Sequence, residues 1–129
     1  MKNCVIDFLK GEWSRNFVLK NRDMLDKLKE ITDGNEESIK LYIQSYIKVM
    51  TAQIDSLQYA LSQEDFEKVL STLQKAKPLL TTMGYDDILR MVNHVEMGIK
   101  KNYARSMTKE NTLSLIDDIQ DSIDKLEAL

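Results

Sequence analysis

Phe66-Glu67-Lys68-Val69-Leu70-Ser71-Thr72-Leu73-Gln74-Lys75-Ala76-Lys77-Pro78-Leu79-Leu80, closed by Met83-Gly84-Tyr85, decides how the fold of this chain is read. Phe66, Val69, Leu70, Leu73, Ala76 and Leu80 recur at helical spacing and predict one buried stripe. Gly84 sits where the stripe stops and readily takes the left-handed conformation of a helix end. Asp86-Asp87 then suit the positive start of a further helix, striped by Ile88, Met91, Val92, Val95 and Ile99.

Upstream, Ile39, Ile43, Tyr46, Ile47, Met50, Ile54, Leu57 and Leu61 extend the same period over about seven turns, from Glu36 to Leu61. The turn cluster Asp33-Gly34-Asn35 precedes them. In Ser62-Gln63-Glu64-Asp65, Ser62 is expected to cap the following helix, with the two acids favouring its first turn. Downstream, Thr108 is the expected cap of a last helix bearing Leu113, Ile116, Ile119, Ile123 and Leu126. Met24, Leu25, Leu28 and Ile31 mark a shorter helix. Four amphipathic helices on short loops predict an all-α, antiparallel up-and-down four-helix bundle over residues 21–129, with an additional N-terminal helical segment. Residues 1–20 hold Phe8, Leu9, Trp13, Phe17 and Val18 without a clean period, and are expected to pack on the bundle or on a partner. Tyr42, Tyr46 and Tyr59 are read as core or core-rim residues.

Composition agrees with that class. A chain of 129 residues that is 43% hydrophobic and 30% charged has enough apolar surface for one core. Four Gly and one Pro are too few turn residues for an all-β fold. A net charge of -3 argues against nucleic acid as a major partner, since phosphate neutralisation needs a basic face. Cys4 is the only cysteine, which excludes an internal disulfide and points to a reducing, cytoplasmic setting. No apolar run reaches membrane-spanning length, and the first ten residues are too charged for a signal peptide, so no membrane partner is expected. No Gly-rich phosphate loop, metal-ligand cluster or nucleophile triad occurs, so no cofactor, metal or enzymatic activity is expected.

Together, Leu25 to Glu37, Leu57 to Phe66, Leu73-Gln74-Lys75-Ala76-Lys77-Pro78, Met83-Gly84-Tyr85, and Ile88, Met91 and Val95-Glu96 resemble the histidine-containing phosphotransfer domains of two-component phosphorelays. The resemblance spans roughly Leu25 to Leu126. It implies a solvent-facing histidine mid-helix, a lysine one turn later for the phosphoryl oxygens, and a small residue that admits a receiver domain. Counting back from Gly84, those places are held by Gln74, Lys77 and Pro78. Glutamine departs decisively from the pattern, because its amide nitrogen lone pair is delocalised and is no nucleophile. Pro78 also deprives the Gln74 carbonyl of its helical N–H partner, which favours a bend there.

The resemblance therefore implies a phosphorelay module that docks a receiver or histidine-kinase domain without accepting phosphate. The docking face it implies is Ser71, Gln74, Lys77, Pro78 and Thr81. Two other readings stay open on the sequence. His94, the only histidine, is either a displaced acceptor or a plain surface residue, or the chain is a helical interaction or scaffold module unrelated to phosphorelays. Asp86-Asp87 and Asp117-Asp118 read as helix-start and solvated-face charges rather than metal ligands.

Overall fold

The computed structural model describes residues 22–128, and the expectation for residues 1–20 lies outside them. The described residues form five helices and no strand: α1 (Arg22–Thr32), α2 (Glu36–Ser62), α3 (Phe66–Met83), α4 (Asp86–Lys100) and α5 (Arg105–Glu127). They make a helical bundle. α2 packs on α3 and α5, α4 packs on the same two, and α1 lies against α2 and α3. No described helix is long and apolar enough to cross a membrane.

Local chemistry sets each boundary. Asp33 and Gly34 take positive φ (53° and 74°), and Asn35 accepts the Ser38 N–H at 2.9 Å to start α2. The next start corrects the sequence expectation. Ser62 is still helical and donates to the Tyr59 carbonyl at 2.6 Å. Glu64, at φ 52°, turns the chain, so Asp65 becomes the cap and accepts from Lys68 N–H at 3.1 Å. α3 continues through Pro78 and ends at left-handed Gly84, φ 72°. There Tyr85 N–H bonds the Leu80 carbonyl and Gly84 N–H bonds that of Thr81, the paired closure that favours glycine. Asn102, at φ 58°, closes α4 in the same way through Tyr103 to Gly98 and Asn102 to Ile99.

At α5 the expected cap fails for a packing reason. The helix begins at Arg105, with no side-chain cap on Ala104, and Thr108 is buried inside the first turn. A Cβ added to Gly98 would come within 3.2 Å of Thr108 Oγ1, so these two residues occupy a close α4–α5 approach. The buried stripe also runs through Thr112, Leu115 and Ser122 beside Ile116, Ile119, Ile123 and Leu126, which leaves Leu113 exposed. Tyr59 at 67% and Ile31 at 46% exposure are likewise surface residues, not core.

Tyr46 is the largest fully buried side chain among the described residues, and its ring centre lies 5.2 Å from that of Tyr85. Ser122 gives its proton to the Ile119 carbonyl at 2.6 Å, so the Tyr46 hydroxyl donates to Ser122 Oγ, also at 2.6 Å. Burial pushes the Tyr46 phenol up from 10.0 to about 12. Burial, then proximity to Tyr46, raises that of Tyr85 further.

Unfolded tyrosines lose protons near pH 10.0 while these two keep theirs. The stabilisation they contribute is therefore complete below pH 10 and lost as pH rises through their folded values. Denaturant melts between pH 8 and 11, compared for the native chain and Tyr46→Phe, test this. The native chain should lose stability more steeply above pH 10 than Tyr46→Phe does. Leu73→Ala, at a fully buried position, should cost about 2–5 kcal/mol in the same melts.

Candidate functional site

α3 must turn Val69, Leu73, Ala76, Leu80 and Met83 inward, since all are buried. That fixes what it turns outward. Gln74, Pro78 and Thr81 are exposed and Ser71 is half-buried, on one stripe spaced three and four residues apart. Lys77 stands on the flank toward α4. Thus the five residues expected to form a docking face do share one side of α3.

Their polar groups differ in freedom. Ser71 Oγ donates to the Lys68 carbonyl at 3.1 Å and Thr81 Oγ1 to that of Lys77 at 2.9 Å, so both hydroxyls are turned back on the helix. The Gln74 amide has no partner among the described residues and faces solvent. Pro78 adds a ring without an N–H donor, leaving the Gln74 carbonyl without its usual helical partner. The Gln74 amide is therefore the free hydrogen-bonding group of this stripe.

The strongest interaction lies just beneath it. Lys77 Nζ approaches Glu96 Oε1 of α4 at 2.6 Å, and Lys100 Nζ stands 3.9 Å from Oε2. The Glu96 side chain is only 7% exposed, against 34% for Lys77 and 58% for Lys100. Glu96 Oε1 has no aligned hydrogen bond among the described residues, so the Lys77 ammonium compensates its charge as an ion pair. A single carboxylate is thus sunk into the α3–α4 seam with two ammonium groups above it. Its presence inside was readable as an acid in the apolar register of α4, four residues after Val92. Its partner was not, because Lys77 and Glu96 are 19 positions apart and on different helices.

His94 is exposed on α4. It precedes Glu96 by two residues, which places it about 200° round the helix from the side that meets Lys77. It does not share the Gln74 face. Asp86, Asp87, Asp117 and Asp118 are all exposed, and Asp87 pairs with Arg90. Among the described residues no group of His, Cys, Asp and Glu is arranged to hold a metal ion. Two grooves, of about 510 Å³ beside Tyr85 and Ile88 and about 380 Å³ beside Phe66 and Tyr103, lie away from Gln74 and Lys77. The candidate site is a surface, suited to a macromolecule rather than a small molecule.

Comparison with protein-family models, curated protein sequences and solved structures found no match.

The ion pair gives a direct test. Lys77→Met leaves Glu96 inside with only the more distant Lys100, and should destabilise by about 2 kcal/mol, less than a fully buried pair because Lys77 is partly solvated. Adding Glu96→Gln removes the stranded charge and should recover most of the loss in thermal melts. Gln74→Ala, at a solvent-facing site, should change stability by no more than about 0.5 kcal/mol.

Proposed function

We propose that this protein is a phosphorelay module of the histidine-phosphotransfer type that docks a receiver or histidine-kinase domain without taking up phosphate. In this reading α2 to α5 form an antiparallel up-and-down four-helix bundle, and the Gln74 side of α3 is the docking face. The observation that carries it is the Lys77–Glu96 contact at 2.6 Å. Both residues are marked by the resemblance, as the lysine after the histidine place and the acid closing the following helix. They lie far apart in sequence and meet beside Gln74, as one shared site requires. Exposure of Gln74 mid-helix supports the same register.

The chemistry then follows from three side chains. Gln74 stands where a nucleophilic imidazole would stand, yet offers only hydrogen bonds. Lys77 is held by Glu96 rather than extended alone into solvent. Pro78 leaves room for a partner backbone with no N–H to satisfy. Such a face can occupy a receiver and so withhold it from a competent carrier.

Incubation with a phosphorylated receiver domain, followed by radiolabel, tests the reading. No label should appear on the native chain, and its appearance there would refute the silent role. Gln74→His should gain label from the same donor, and His94→Ala should leave that gain intact.

A further inference from the structure

α2 carries a second stripe on the side away from the core. Its inward side is held by Ile39, Tyr46, Met50 and Leu57, all buried. About 180° round the helix stand Leu41, Ser45, Lys48, Ala52, Asp55 and Tyr59, all exposed or nearly so. They recur at intervals of four and three residues, the spacing by which one helix lays a seam along another.

This side differs from an ordinary wet face. Leu41 is 62% exposed and Tyr59 67%, one toward each end of the stripe. Between Leu41 and Ser62 the only charged residues are Lys48 and Asp55, in a chain that is 30% charged. Both lie on the stripe itself, and neither has an ion-pair partner among the described residues. Ser45 and Ala52 between them are small, which lets a second helix come close.

We infer that α2 pairs antiparallel with α2 of a second copy of this chain, about a two-fold axis near Met50. Such an axis sets the same stripe against itself in opposite directions. Leu41 then covers Tyr59 of the partner subunit, and Tyr59 covers the partner's Leu41. Lys48 comes within a helical turn of the partner's Asp55, and Asp55 within a turn of the partner's Lys48. Each charge is therefore answered by its opposite. A parallel pair would set lysine beside lysine and aspartate beside aspartate, so the two charges also choose the direction. A seam about 27 Å long is small for a specific interface, which makes the dimer a weak one, with Kd on the order of 100 µM. The inference is independent of the docking reading, because the stripe contains no residue of the α3 face.

Sedimentation equilibrium of the full-length protein, loaded from well below to well above that concentration, tests the inference. The native chain should pass from monomer to dimer. Lys48→Glu and Asp55→Lys, each alone, should weaken the dimer about tenfold, since either change turns two attractions into repulsions. The double swap Lys48→Glu/Asp55→Lys should recover it, and so should an equal mixture of the two single variants, which can pair only with each other. Circular dichroism should show the same fold for all four chains. A monomer at every concentration would overturn the inference, whether residues 1–20 or another molecule covers the stripe. A dimer that ignores the reversals, or that the swap fails to restore, would overturn it as well by placing the contact elsewhere.

Discussion

Burial of one apolar face per helix is the constraint on which the rest of this structure depends. Each large aliphatic residue removed from water contributes about 1.5–3 kcal/mol, so α3 is held in rotation by Val69, Leu73, Leu80 and Met83 together. No side chain on its outer stripe could oppose that sum. Gln74, Pro78 and Thr81 face solvent because the inner stripe leaves them nowhere else to go. The site is a by-product of core packing, and its precision is that of the core.

Against this background the Lys77–Glu96–Lys100 cluster is an exception. A carboxylate at 7% exposure is costly to desolvate, and an apolar residue of similar size would stabilise the seam as well or better. What the pair supplies instead is position. It ties α3 to α4 at one register and holds an ammonium beside Gln74. The Tyr46–Ser122 bond does comparable work deeper inside, joining α2 to α5 with every donor placed. These two polar links are specific where the aliphatic contacts are general.

Several sequence expectations failed, and they failed for related reasons. Ser62 and Thr108 have cap-forming side chains, but a cap is chosen by the backbone turn beside it. Glu64 in the left-handed region moved the α3 start to Asp65, and the close approach at Gly98 drew Thr108 into the core. Leu113 is apolar and falls near the α5 period yet is exposed, while polar Thr112 and Ser122 are buried. Their hydroxyls bond the carbonyls of Thr108 and Ile119, which lets both enter the interior. Tyr59 and Ile31 show the converse, that an apolar residue near the right period need not be buried.

The sequence by itself determined that the described chain is helical, roughly where its helices lie though not where α3 and α5 start, and which side of α3 faces out, because hydrophobic period and turn residues are local properties. It also determined that position 74 carries no nucleophile, since that is a matter of residue type alone. Only the tertiary structure decided that Lys77 meets a buried Glu96 and that His94 stands on another side of α4. Those outcomes depend on how separate helices are rotated against each other, and the rotation is set by summed packing across the core that no single segment encodes.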